Sequence, residues 1–384
     1  MINALNTLCA VSHAQNLTLN LDKCEDLLQI LLDLLEESLE KSRIEAAEEV
    51  GKPSYWKRTR RSDHKTSYAM LLQDTNDIVM HAKTEKRSVQ KEMDLVMNIM
   101  TILINLCPDP GNRAYYGRCQ RLHGTIIKLI RWPDLSSFEE LTVRKLVLEF
   151  YTGLGPETFQ LSNLHKDDVL EMLMLFLDFI DYEGSTCDIH KSPMGEAPDH
   201  WIDLGADALS RVLVLDENRE VIANRSPPSF LIIMFDVIWP HFPVDYYHFL
   251  GSDGGLAFVE RIAHILYSIA FIGNPEIHQV MLRREGGPAN GERTDRTHPK
   301  KSSYLVETMV RLYLRFVNYH RSDFSQNVYG VLLRRMVETI GLLAQTDPDL
   351  LLPFHSLVAE SLFQPNLDNV IVHELSALLG RDSL

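Results

Sequence analysis

The chain has 384 residues, 45% hydrophobic and 24% charged, with 38 Lys and Arg against 53 Asp and Glu for a net charge of −15. This is ordinary globular usage, and the acidity argues against a protein whose main surface tracks a phosphate backbone, since that surface needs clustered positive charge. No apolar run approaches the ~18–20 residues that span a bilayer; the longest, Phe230–Trp239, is interrupted by Asp236 and flanked by Pro228 and Pro240. The N-terminus carries no basic segment followed by an apolar one. Five scattered cysteines (Cys9, Cys24, Cys107, Cys119 and Cys187) form no Cys-x-x-Cys pair. The expectation is a soluble intracellular protein with reduced thiols.

Helical periodicity dominates from the N-terminus onward. Leu27, Leu28, Leu31, Leu32, Leu34, Leu35 and Leu39 share one broad face, while Asp33, Glu36, Glu37 and Glu40 occupy the other, the pattern of an amphipathic helix. The same pattern predicts helices over Met93–Leu106, Leu141–Leu154, Val169–Ile180, Leu204–Leu215, Leu256–Ile272, Tyr304–Phe316, Val328–Ala344 and Val370–Leu379. Strict two-residue alternation is rare, and Asn290–Gly291 sits in a polar stretch without flanking strands, so it reads as a loop. The fold class is all-α.

Several of these helices end alike. Ile102–Leu106 runs into Cys107-Pro108-Asp109-Pro110, Leu209–Leu215 into Asp216-Glu217-Asn218, Leu266–Ile272 into Gly273-Asn274-Pro275, and Ile340–Ala344 into Gln345-Thr346-Asp347-Pro348. Weaker copies lie at Ala4–Leu8 and Phe150–Pro156. A short helix then follows, as at Arg121–Arg131 or Ser229–Trp239, before the next apolar one. Proline after the core helix is expected to stop it, because the ring cannot donate the intrahelical hydrogen bond. Helices this apolar need cover on several sides, which neighbouring repeats supply. At about 150 residues per domain the length suggests two or three domains. A repeat stack evades that rule, so 1–384 is expected to be a single armadillo/HEAT-like α-solenoid. Polar loop insertions are expected near 41–65, 183–200 and 285–303, where Gly, Pro, Ser and charge replace the helical pattern.

Candidate chemistry is sparse. Gly251-Ser252-Asp253-Gly254-Gly255 lacks the Lys and the strand-to-helix setting of a phosphate loop and reads as a turn into a helix. Cys187-Asp188-Ile189-His190 has a ligand-like spacing but no second pair, and structural zinc takes four ligands. His241 and His248 flank Asp245 among Phe242, Tyr246, Tyr247 and Phe249, which reads as an aromatic loop between repeats before it reads as a carboxylate–histidine site. No Gly-x-Ser-x-Gly elbow is present. No catalytic residue, metal or cofactor is therefore expected. The basic run Lys57, Arg58, Arg60, Arg61, preceded by Tyr55 and Trp56, is the clearest charge anomaly. It fits a solvated loop, a nuclear-import signal, a weak and salt-dependent nucleic-acid contact, or an acidic partner.

The order of segments resembles the C-terminal armadillo-like region of the large ARID-containing subunit of SWI/SNF chromatin remodellers, the Osa family. Ala4–Leu8, Asn16–Leu19 and Leu27–Leu39 are similar to that family's first helices, and Asn98–Leu106 looks like its core helix. Leu333–Met336, Leu342–Ala344 and Leu357–Leu379 follow its last two repeats. The resemblance covers nearly 1–384 and rests on ordered helix patterns. It implies a non-catalytic nuclear scaffold that binds other subunits of a remodelling complex while a separate ATPase moves nucleosomes. The family's DNA-binding ARID lies far upstream in its larger members and is absent here, so no sequence-specific DNA binding is implied, and no membrane contact. A tryptophan cluster of animal members is replaced by Glu85–Gln90. A cytoplasmic armadillo-like adaptor in signalling or transport is the alternative. An opening inside a helical pattern also suggests a fragment of a longer chain or a stand-alone relative.

Overall fold

The computed structural model describes residues 2–13, 19–50, 92–132, 137–155, 158–181, 198–243, 255–283, 305–317, 329–364 and 367–381. Among these residues every regular element is an α-helix or a 3₁₀ turn, and there is no strand. In chain order the helices are α1 (Ile2–Ser12), α2 (Glu25–Val50), α3 (92–106), α4 (Pro110–Arg118), α5 (Gln120–Ile130), α6 (Ser137–Gly153), α7 (Lys166–Ile180) and α8 (Pro198–Val212). They continue with α9 (Asp216–Arg225), α10 (Pro228–Ile238), α11 (Gly255–Ile272), α12 (Pro275–Arg283), α13 (Leu305–Phe316), α14 (Gly330–Leu343), α15 (His355–Ser361) and α16 (Asn369–Arg381). The described residues up to Met172 form one compact unit and those from Leu173 onward another.

Three sequence expectations change. The polar insertion does not begin at Lys41: α2 runs on through Val50, because Glu, Ala, Lys and Arg are good helix formers even without an apolar face. Nor does the second insertion extend to His200, since α8 starts at Pro198. Residues 51–65, 183–197 and 285–303 lie outside the described residues. The longest apolar segment is α11, not Phe230–Trp239: it is long and apolar enough to cross a membrane by length and composition. Here it is the central helix of its unit, packed against α8, α9, α10 and α14.

The prolines act differently from the expectation too. Pro110 and Pro275 do not merely end one helix; each opens the next, where a missing N–H costs nothing. Asp109 Oδ1 accepts from the Asn112 N–H at 3.0 Å, and Asn274 Oδ1 accepts from the Glu276 and Ile277 N–H groups, both at 3.1 Å. These N-caps satisfy donors that a helix start leaves open. They create short helices, α4 and α12; α4 and α9 carry too few apolar residues for periodicity to reveal them, and α12 is too short for its pattern to stand out.

The first turns of these short helices also reach back. Asn112 Nδ2 donates to the Leu106 carbonyl at the end of α3 (3.2 Å) and to the Leu19 carbonyl (2.8 Å), while its Oδ1 accepts from the Leu21 N–H (2.8 Å). Asn218 Nδ2 donates to the Val212 carbonyl at the end of α8 (2.9 Å). His278 takes the corresponding place after α11, with Nε2 2.7 Å from the Ala270 carbonyl and Nδ1 2.8 Å from the Thr346 hydroxyl. All three side chains are buried.

In the first unit α2 packs on α5 and α5 on α6. Asn6 to Asn98 and Ser12 to Asn105 tie α1 to α3. Arg121 on α5 joins α2 through Gln29 Oε1 (2.7 Å), Asp33 and Glu36 Oε2 (2.7 Å), and Thr125 donates to Glu36 Oε1 at 2.7 Å. That contact with Arg121 holds the half-exposed Glu36 carboxyl below its ordinary range. Behind it lies an aromatic core, with the His123 ring 4.5 Å from Phe159 and Tyr151 5.1 Å from Phe159. In the second unit α8, α11, α14 and α16 contact one another in succession. Helix α10 lies on α11, α13 on α14 and α15 on α16.

Gly117 is the most confined of the described glycines in the first unit. A Cβ there would stand 1.8 Å from the Thr158 carbonyl oxygen, closer than any side chain can yield, because the obstacle is backbone. Gly117→Ala is expected to cost at least the ~1–3 kcal/mol of an overpacked core. Asn112→Ala should cost about 1–3 kcal/mol by orphaning buried backbone groups. Urea denaturation of each variant checks both, and a midpoint equal to that of the parent would contradict the geometry.

Candidate functional site

The residues singled out in the sequence are mostly beyond the described ones: Lys57, Arg58, Arg60 and Arg61, Cys187 and His190, and Asp245 and His248. His241 is described, in the 3₁₀ turn after α10, edge-on to Phe258 with ring centroids 6.5 Å apart. Gly255 begins α11, and Gly251, Ser252, Asp253 and Gly254, where the sequence predicts the turn, lie outside the described residues. Among the described residues no group of three His, Cys, Asp or Glu side chains is placed to hold a metal ion.

One cleft of about 450 Å³ opens in the first unit, lined by Gln120, Arg121, Gly124, Asn163, Leu164, His165 and Asp168. Its charged groups are already engaged. Arg121 is held by Gln29, Asp33 and Glu36, and Asp168 Oδ1 lies 3.3 Å from Arg131 Nη2, which also pairs with Glu171 through its guanidinium. The two charged groups of the wall are thus engaged by residues behind it.

A different surface stands out on the second unit. Helix α11 is apolar on three sides, yet Glu260, Arg261, His264, Tyr267 and Phe271 fall on one stripe at helical spacing, and none of them is buried. Its neighbours α8 and α14 carry matching polar stripes. On the α8 side, Arg261 pairs with Asp203 and, through Nε at 3.0 Å, with Asp207, whose other oxygen accepts from Arg211 Nε at 2.8 Å. Half-burial raises the Glu260 carboxyl above its ordinary value, with Arg261 pulling against it.

On the α14 side the surface becomes aromatic and cationic. The Arg219 guanidinium, brought in by α9, sits 4.6 Å from the Phe271 ring centre and 5.4 Å from that of Tyr267. Arg335 lies 4.8 Å from the Tyr267 ring, so two guanidiniums flank one phenol. Such contacts contribute about 0.5–1 kcal/mol when exposed and about 2 kcal/mol when dry. Arg219 has a side chain only 8% exposed and pairs with Asp216. Glu338 serves two arginines at once, accepting from Arg335 Nη1 at 2.7 Å and from Arg334 Nε at 2.9 Å. His264 stacks on Tyr267 at 6.2 Å, and its Nε2 has no hydrogen-bond partner among the described residues.

His264 is held neutral. Partial burial, then Arg335 and Arg219, push its pKa down to about 4, against a weaker pull from the backbone at Leu213. The cluster thus offers ring faces and guanidinium N–H donors, the chemistry of recognising carboxylates and backbone carbonyls. Sequence reading missed Arg219, Tyr267, Phe271, Arg334, Arg335 and Glu338. The available signal was the single stripe of charged and aromatic residues along the otherwise aliphatic α11. No family model matches the sequence, and no curated protein matches it.

Because the folded state refuses a proton that the unfolded chain accepts near the ordinary value of 6.5, His264 binds fewer protons folded than unfolded between those two pH values. Stability associated with it is intact above pH ~6.5 and is lost as the pH falls toward ~4. By pH ~5 the loss is on the order of 1–2 kcal/mol. The drop in urea midpoint between neutral and mildly acid buffer should therefore shrink in His264→Phe, and an unchanged drop would show that this ring does not titrate as described.

Proposed function

We propose that the chain is a non-catalytic scaffold: an armadillo-like α-solenoid serving as a subunit of a SWI/SNF-type chromatin-remodelling complex in the nucleus. The observation that carries the solenoid reading is the succession α8, α11, α14, α16, each core helix contacting the next, with α10, α13 and α15 laid alongside. The closure of α3, α8 and α11 by a side chain six to eight residues downstream supports it. Units that recur this way stack by nearest-neighbour contacts and offer long surfaces to partners. The mixed charged and aromatic stripe over α8, α11 and α14 is such a surface. The complex and the compartment rest on the sequence resemblance, and the partners are accordingly other subunits of the remodeller.

The test is affinity purification of the tagged chain from nuclei at moderate salt, followed by mass spectrometry. Remodeller subunits, the ATPase among them, are expected to co-purify in stoichiometric amounts. A nuclear chain that comes away without them defeats the subunit reading, and exclusive recovery from cytoplasm with signalling or transport proteins would favour an adaptor instead. Deleting Lys57–Arg61 should abolish nuclear accumulation if that run is the import signal.

A further inference from the structure

From the α9–α11–α14 face we infer that this chain docks an acidic extended segment of a partner protein, one in which Asp or Glu carboxylates flank a large apolar side chain. The inference rests on the scaffold reading and names the chemistry of what one part of its surface holds.

Three features of the face lead there. Phe271 is 45% exposed although it lies under a guanidinium, so the ring presents an apolar edge that none of the described residues covers. Arg334 and Arg335 have side chains 46% and 29% exposed. Each gives Glu338 a single hydrogen bond. A guanidinium carries five N–H donors in a planar fork, so among the described residues both keep donors for a ligand, and the fork matches a carboxylate in bidentate fashion. Finally, the aromatic floor fixes the cations in place. Tyr267 is flanked by Arg219 and Arg335, so little side-chain freedom remains to be lost on binding.

A purely structural account explains only part of this. Arg219, buried and paired with Asp216, is well described as a staple between α9 and α11. Arg334 is not: it is exposed, shares a carboxylate with its neighbour, and otherwise feels Asp368 and Tyr267 at a distance. Nucleic acid fits less well than an acidic peptide. The adjoining stripe on α8 spends Arg261 and Arg211 on Asp203 and Asp207, so the cations do not continue along a path that a phosphate backbone could follow, whereas a protein segment can place its carboxylates over the arginines of α14 alone. Aromatic and arginine side chains are also the ones that dominate binding energy at protein interfaces.

The experiment uses the full chain and a fluorescein-labelled peptide in which Asp and Glu flank a central Phe. A matched peptide with Asn and Gln and another with Lys serve as controls, read by fluorescence anisotropy. The acidic peptide should bind, more weakly as salt is raised, and the amide and Lys peptides should not. Arg334→Glu, a change at an exposed position, should weaken binding about tenfold or more, a fold-change typical of losing a charge-assisted pair. Arg334→Lys should lose less, and Arg311→Glu, at an exposed arginine on α13, should lose nothing. Circular dichroism of each variant guards against loss of fold. Equal binding of the amide peptide, an unaffected Arg334→Glu variant, no binding of the acidic peptide, or full displacement by an oligonucleotide would each overturn the inference. Failure here with remodeller subunits still co-purifying sinks the acidic-segment site alone. Peptide binding without co-purification sinks the subunit reading alone.

Discussion

Everything in this chain depends on closing the C-terminal ends of very apolar helices. A helix leaves its last carbonyls without intrahelical partners, and when the helix is buried those groups cannot turn to water without a cost of about 1–3 kcal/mol each. The chain solves this locally: a polar side chain from the first turns of the next helix swings back to the end of the last one. Asn112, Asn218 and His278 do this at three junctions along the chain, after α3, α8 and α11. The closure lets core helices such as α3, α8 and α11 be apolar nearly to their last residue and still stop. It also fixes the direction in which each short helix leaves, and hence where the next core helix arrives.

Much of the fold was legible before any coordinates. Amphipathic periodicity located α3, α6, α7, α11, α13, α14 and α16 to within a few residues, because each has one face that must be buried and repeats it every turn; it found α2 and α8 but missed the last turns of the first and the opening turns of the second. It failed at α4, α9 and α12, whose sequences, such as Pro110–Arg118 and Asp216–Arg225, are short and polar. Side-chain caps start α4 and α12, α9 has none, and α4 and α9 are held by packing at a few buried positions, among them Asn112, Tyr116, Asn218 and Ile222. Charge misled at Lys41–Val50, where a run of Glu, Lys and Ala extends a helix.

The candidate surface was less legible, for a plain reason. Arg219, Tyr267 and Arg335 are more than a hundred residues apart from end to end, and nothing in the local sequence of any one of them announces the others. What brings them together is packing: α9 and α14 both lie on α11, and the phenol of Tyr267 gives both guanidiniums a place to rest. The basic run at Lys57–Arg61, conspicuous in the sequence because its charges are contiguous, is the opposite case. Recognition surfaces made by stacked helices are assembled from single residues of successive layers, so contiguity is a poor guide to them.

Gly117 illustrates what such a design tolerates. Its backbone meets that of Thr158 with no room for even a methyl group, so the distance between those two strands of chain is set by main-chain atoms rather than by any particular pair of side chains. Where layers are spaced by backbone contact and ends are closed by one small polar residue, most other positions are free to wander so long as they stay oily inside and wet outside. A lineage built on these terms can lose nearly all residue-by-residue likeness to its ancestors while each layer still lands on the one before it.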